Sequence, residues 1–409
     1  MKKILALLLS LILFALMLAG CATGDDSKSG EIRPVKIAIL EPFSGTNAFA
    51  GQLNLEGMQL AVDLCNASGG IKSLGGAPVE IVIGDVTSDP SESKTVAERV
   101  LVDEDIVAVF GSISSVVVPY LPVIEKLGIP TLTGAGSAGI VDEGYQYIFR
   151  PVSSGADFGQ INVEFLDFLS KEGELDSNKI AIISEDSAWG ISNAEGVRNN
   201  AAKFGLEVVM DEYFASGFTD ASSLIIQLQA SGADAVICNS YLQETKLIVS
   251  TMKSMGADDI LICGGGSGFL LDEFGKGMGD DVNGITSASH CSPDVVSIVN
   301  NPKFSGIPDK FREKYGTFMN QFSLNAYSIG QLIIEALEVS GSRDRTQLRD
   351  VLRANEWEIF HPYGICKFDE TGANTNVTPI IVQWQDGEPR GIYPYDVCTY
   401  EYQKPGEMN

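Results

Sequence analysis

From Val35 onward, short apolar runs rich in β-branched residues alternate with longer stretches of helical period. Val35–Leu40, Val79–Asp85, Ile106–Gly111 and Ile129–Thr133 read as strands. A second series follows at Lys179–Ser184, Leu206–Val209, Ala233–Asn239, Ile260–Cys263 and Gly284–Ala288. Several of these runs are almost continuously apolar, the pattern of parallel strands covered on both faces. Between them, Leu53–Asn66, Asp157–Lys171, Ala194–Phe204 and Gln243–Met255 have the length expected of helices, and a further helix is expected over Val116–Leu127. Ile329, Leu332, Ile333, Ala336 and Leu337 fall at i, i+3, i+4, i+7 and i+8, which is one apolar helix face. Two successive β-α arrays predict an α/β protein with two parallel sheets. The junction between the arrays is expected at Phe149–Val152, where Pro151 and the following Ser153-Ser154-Gly155 suggest a crossover.

The N-terminus is a separate object. Lys2 and Lys3 precede an apolar run from Ile4 to Leu18, too short and wrongly flanked for an ordinary membrane span. The run ends in Leu18-Ala19-Gly20-Cys21, which resembles a bacterial lipoprotein signal; that resemblance implies cleavage before Cys21 and a lipid on its thiol. Residues 1–20 are then a signal peptide, and residues 21–34, rich in Gly, Ser and Asp, a flexible tether.

Composition narrows the class. With 28 Lys and Arg against 54 Asp and Glu, the chain carries a net charge of -26, which argues against nucleic-acid binding and against docking on an anionic membrane surface. Its two histidines, His290 and His361, leave little room for a histidine metal site or a triad, so no metal and no cofactor are expected. Beyond Cys21 there are Cys65, Cys238, Cys263, Cys291, Cys366 and Cys398; an even number in an exported protein permits disulfides, though the spacing selects no pairing.

Ligands of such sheets bind outside the carboxyl ends of the strands. Those ends read Gly111-Ser112-Ile113-Ser114-Ser115, Gly134-Ala135-Gly136-Ser137, Glu185-Asp186-Ser187-Ala188-Trp189-Gly190, Asn239-Ser240-Tyr241 and Gly264-Gly265-Gly266-Ser267. Small residues let backbone amides approach a ligand, and serine hydroxyls both donate and accept. Ser114, ahead of the expected helix, either grips an anion or caps the helix; the sequence leaves both open. Gly134 to Gly139 matches G-x-G-x-x-G, but the short, glycine-interrupted stretch behind it is a poor crossover helix for a dinucleotide site. Glu185 and Asp186 read as solvated loop charge.

Pro42-Phe43-Ser44-Gly45, Gly57 to Asn66 leading into Gly69-Gly70-Ile71, Asp85 to Pro90, Gly111 to Ser115, Pro130 to Ser137, Phe149-Arg150 with Asp157 and Gln160, Trp189-Gly190, and Tyr363-Gly364 with Phe368 to Gly372 occur in order along the chain. In this order and spacing the chain resembles the periplasmic binding proteins of the branched-chain amino acid type, the extracytoplasmic receptors of ABC transporters. The resemblance implies two Rossmann-like lobes with parallel sheets joined by three crossovers, the type I arrangement. The crossovers are expected near Val152, Cys291 and Asn355. Lobe 1 then comprises residues 35–152 and 292–355, and lobe 2 residues 153–291 and 356–402.

The same resemblance implies the ligand residues. Ser114, with Ser115 and nearby amides, corresponds to the carboxylate grip, and Ala135 and Ser137 to the loop that holds an α-ammonium. Trp189 matches an aromatic that closes over the ligand, and Tyr241 a later one. Ala50 stands where a further aromatic is expected, with Phe49 adjacent and read as packing. Gly266 stands where the family places an acid for the ammonium, a departure that favours an amide, a carboxylate or a modified amino acid over leucine, isoleucine or valine. If an ammonium is bound, Asp186 or Glu244 is the expected substitute. The implied protein is a monomeric, lipid-anchored solute-binding protein serving an ABC permease and ATPase, and not an enzyme. A sensor for a membrane receptor is the alternative. A secreted hydrolase using Ser114 or Ser137 is disfavoured, because neither histidine is expected in a loop that forms the cleft.

Overall fold

The computed structural model describes residues 32–137 and 139–405. Cys21, the signal and most of the tether lie outside the described residues. No helix among the described residues is long and apolar enough to cross a membrane.

The first sheet contains β1 (Val35–Glu41), β2 (Val79–Asp85), β3 (Ile106–Gly111), β4 (Thr131–Thr133) and β5 (Ile148–Phe149) in the order β2-β1-β3-β4-β5, all parallel. The second uses β6 (Lys179–Glu185), β7 (Glu207–Phe214), β8 (Ala235–Asn239), β9 (Leu261–Gly264) and β10 (Thr286–Ser289) in the matching order β7-β6-β8-β9-β10. Strands β3 and β8 are buried at every position because helices cover both of their faces, which is why their sequences are apolar up to their ends. The second sheet is not purely parallel. After the short antiparallel pair β11 (Glu356–Glu358) and β12 (Ile365–Lys367), strands β13 (Ile380–Gln385) and β14 (Glu388–Tyr393) add to β10 as an antiparallel hairpin.

The helices follow the predicted period, with one instructive difference. Helix Gly155–Glu172 is closed at its start by a reciprocal cap between Ser154 and Asp157. The stretch expected as one helix over Val116–Leu127 is instead broken into Ser114–Val117, a 3-10 turn at Val118–Tyr120, and Leu121–Leu127, because Pro119 and Pro122 each remove a backbone donor.

The chain passes between the sheets after β5 and after β10. The third crossing lies further on than Asn355. Trp357, Ile359, Cys366 and Phe368 pack into the core of the first sheet, with Phe368 edge-on to Phe149 at 4.9 Å. Residues 356–368, expected in lobe 2, share the first core, and the chain passes across where the Arg150 N–H donates to the Gly372 carbonyl and the Asn374 N–H to the Arg150 carbonyl. Val295, Ile298, Phe304 and Phe311 form another cluster with Leu60, Ile380 and Val382, so residues 292–320 do not belong to the first core alone. All six described cysteines are free thiols.

Candidate functional site

Both strand orders reverse direction beside the first strand of the array, between β1 and β3 and between β6 and β8. Crevices at such reversals are where α/β sheets bind ligands. A cavity of about 30 Å³ lies at these strand ends. Asn54, Ser112, Ser114 and Gly134 line it from the first array, and Trp189, Tyr241 and Ser267 from the second. His290, Gln321, Phe322 and Asn325 also line it. Three residues singled out from sequence, Ser114, Trp189 and Tyr241, are thus brought together from different sheets.

Ser114 is buried, and its Oγ accepts the backbone N–H of Ser137 at 3.2 Å. Ile113, not Ser114, holds the N-cap position of the short helix, and no side chain caps it. This leaves the Ser114 hydroxyl proton free to donate into the cavity, while the broken helix removes the long-helix dipole from the account. The Ser137 hydroxyl is buried without a partner. Ala135 sits in the apolar cluster beneath, with its N–H on Thr133 Oγ1 at 3.0 Å.

Trp189 packs edge-on against Phe158 at 5.0 Å, and its indole nitrogen is buried and unpaired. It presses so closely on the first array's loop that a Cβ on Gly136 would come within 2.5 Å of the ring. The Tyr241 phenol is driven to higher pKa by burial and then by the charges of Glu185 and Glu244.

The other sequence candidates lie elsewhere. Ser115 is half-buried outside the cavity wall, and Phe49 packs on the first sheet's apolar cluster. Gly266 lies behind the wall residue Ser267, with φ +83° and its N–H donated to Ser287 Oγ at 3.0 Å. A side chain there would begin 2.7 Å from the Phe158 ring, so an acid cannot occupy this position without rebuilding. Asp186 is exposed, and Glu244 accepts the N–H of Gly217 at 2.9 Å, so neither of the expected substitutes faces the cavity freely.

Sequence reading missed four residues. Glu185 is not solvated loop charge: it ends β6, is buried, and its pKa is pushed up to about 7, first by burial and then by Glu244. Asn54 and Glu41 lie on the first array, and His290 lines the cavity from the segment after β10, contrary to expectation. His290 does not revive a hydrolase. Burial depresses its pKa to about 3 and its Nδ1 has no partner, whereas a working base needs an orienting group and a pKa near operating pH. The signal that could have exposed the two acids is a repeat: Lys36-Ile37-Ala38-Ile39 and Lys179-Ile180-Ala181-Ile182 both lead into a strand-ending glutamate.

Comparison with known proteins agrees with this geometry. Residues 34–389 match the family model described as periplasmic binding protein. Leu/Ile/Val-binding protein homolog 7 of Brucella abortus (strain 2308) is 30% identical over 402 residues, covering 96% of this chain and 99% of that protein. Among solved structures, the branched-chain amino acid transporter substrate binding protein of Streptococcus pneumoniae, in complex with isoleucine, superposes with a TM-score of 0.77 at 24% identity, over 91% of this chain and 100% of that one. A solute binding protein of an ABC transporter from Rhodopseudomonas palustris BisB5, in complex with 3,4-dihydroxy benzoic acid, gives 0.75 at 19% identity, over 92% and 99%. Both likenesses show the fold. These relatives are solute-binding proteins, not enzymes.

Proposed function

The chain belongs to the periplasmic binding protein family, and from that premise we propose that it is an extracytoplasmic, lipid-anchored receptor that captures a small polar ligand for an ABC permease. The observation that carries the reading is convergence: Ser114 from the first sheet and Trp189 and Tyr241 from the second line one cavity, and buried polar atoms stand without partners on Ser137, Trp189 and His290. Native proteins rarely leave such groups unpaired unless a ligand or water completes them. A cavity of about 30 Å³ admits about two waters, so an amino-acid-sized ligand requires the walls to part. Because the walls come from different sheets, parting and closing them is a movement of two lobes on the crossovers, and the closed form is what the permease reads.

In this reading Ser114 and Ser137 donate to the ligand's carboxylate or carbonyl, Ala135 offers its backbone, and Trp189 and Tyr241 enclose its body. The ligand is an amino acid, an amide or a related compound, as the names of the relatives support. Native mass spectrometry of the purified protein should reveal a retained small molecule. Titration calorimetry with that compound should then show Ser114→Ala and Ser137→Ala each weakening binding by about 1–3 kcal/mol, the effect of leaving a polar partner unpaired. Unchanged affinity in both variants would remove these serines from the site.

A further inference from the structure

Beneath the first-sheet wall of the cleft lies a group of polar atoms that no hydrogen bond completes. Glu41 ends β1 at the strand-order reversal and is fully buried, and neither of its carboxyl oxygens receives a hydrogen bond of ordinary geometry. The Ser112 N–H and hydroxyl and the Asn54 amide face it as donors. Both residues also line the cavity, and Asn54 Nδ2 donates to Ser112 Oγ at 2.6 Å. Asn54 is fully buried, and its Oδ1 is again without a partner. The Tyr120 hydroxyl beside Glu41 is the third such group.

The donor count identifies what is missing. The unpaired acceptors are the two Glu41 oxygens and Asn54 Oδ1, while one amide hydrogen of Asn54 is already spent on Ser112. Once Glu41 is ionised, the hydrogens that remain beside it, the Ser112 N–H, the second Asn54 amide hydrogen and the hydroxyls of Ser112 and Tyr120, are fewer than the lone pairs of a carboxylate and an amide oxygen. No ion pair to Glu41 occurs among the described residues, and the ionisable group facing it is the Tyr120 phenol. A donor-poor, acid-backed pocket open to a cavity suits a cationic nitrogen.

We propose that Glu41, with Asn54 and Ser112, forms a subsite that receives a protonated amine of the ligand. The proposal rests on the solute-binding reading above and deepens it: the acid missing at Gly266 on the second sheet is supplied from the opposite wall. Burial pushes the Glu41 carboxyl up to about 8, so near neutral pH it carries its own proton and is uncharged. Arrival of an ammonium favours the carboxylate, and the displaced proton leaves to solvent.

The test is ligand capture from a bacterial cell extract, read by native mass spectrometry on the unmodified protein, Glu41→Gln and Glu185→Gln. The expected result is a captured compound with a basic nitrogen, bound about ten- to a hundredfold more weakly by Glu41→Gln. Calorimetry of the unmodified protein with that compound, in buffers of different ionisation enthalpy at pH 7, should report release of about one proton. This arm needs no variant, so misfolding of Glu41→Gln cannot obscure the answer. A captured compound lacking a basic nitrogen, absence of proton release, or capture lost in Glu185→Gln and kept in Glu41→Gln would overturn the subsite while leaving the receptor function intact. Capture of nothing by the unmodified protein would refute the receptor reading and the subsite with it.

Discussion

Replacing Gly266 by alanine isolates the feature that most distinguishes this cleft. Gly266 holds φ +83° and ψ -146°, a backbone region that is essentially reserved for glycine and costs other residues about 1–3 kcal/mol. The added methyl would begin 2.7 Å from the Phe158 ring and 3.4 Å from the Ala288 carbonyl, in a buried site where overpacking costs about another 1–3 kcal/mol. Phe158 is wedged between Trp189 and His290, so it has little room to retreat. The expected loss is roughly 2–6 kcal/mol, a large share of the 5–15 kcal/mol typical of a folded domain. Urea unfolding followed by circular dichroism measures it, with Gly256→Ala as the control. Gly256 also has positive φ, +68°, but nothing lies within 4 Å of its would-be Cβ, so that variant reports strain without collision. If Gly266→Ala unfolds within about 0.5 kcal/mol of the parent, or no more easily than Gly256→Ala, the steric argument fails. Gly266→Glu adds a buried charge to the same collision, so it is expected to destabilise the protein and not to create amino-acid binding.

Two further outcomes are expected. Ligand addition should change tryptophan fluorescence through Trp189 alone, because Trp357 and Trp384 are buried in apolar clusters and bonded to Leu352 and Phe269 carbonyls; a full response surviving in Trp189→Phe would move the signal elsewhere. Stability should fall between pH 6.5 and 8, since Glu41 is protonated when folded and ionised when unfolded, at about 1.4 kcal/mol per pH unit, a slope that Glu41→Gln should flatten. Below pH 6.5 the curve levels off: His290 and His361, depressed to about 3 by burial, stay neutral when folded and bind protons when unfolded, which offsets the opposite contributions of Glu41 and Glu185. Urea midpoints across pH 4–8 check both limbs, and identical high-pH slopes in parent and Glu41→Gln would refute the first.

The fold was legible where the apolar pattern and the local backbone chemistry agree. Strand β3 occupies the residues read from sequence because burial on both faces makes its boundaries abrupt. Strand β7 runs on to Phe214, past the expected end at Val209, because at the edge of the sheet Asp211 and Glu212 can point to solvent while their backbone still pairs with β6. The late crossover was not legible. Trp357 and Phe368 sit in short, largely polar segments, and their assignment depends on a non-local fit into a core built some two hundred residues earlier in the chain. The site was legible as a set of small and aromatic residues at strand ends. Its acids were not, since a glutamate at a strand end is usually solvated, and burial by another part of the chain is invisible to local pattern.

The paired acids give this cleft a direction. Glu41 and Glu185 hold equivalent places, each ending the first strand of its sheet beside the reversal of strand order. Their surroundings differ. Glu185 has the Tyr241 N–H and Ser216 beside it, with Glu244 next to it and tied to Gly217, so that wall carries two acids that oppose each other. Glu41 has no ion pair among the described residues, and the polar groups around it, Asn54 and Tyr120, are themselves incomplete. A ligand entering between these walls gains more by presenting its cation to Glu41 and its apolar body to Trp189 and Tyr241 than by the opposite orientation. The same asymmetry explains how the second sheet can dispense with an acid at Gly266. Glycine there lets Phe158 and Trp189 close against the cleft, and in the proposed subsite the charge comes from the other wall.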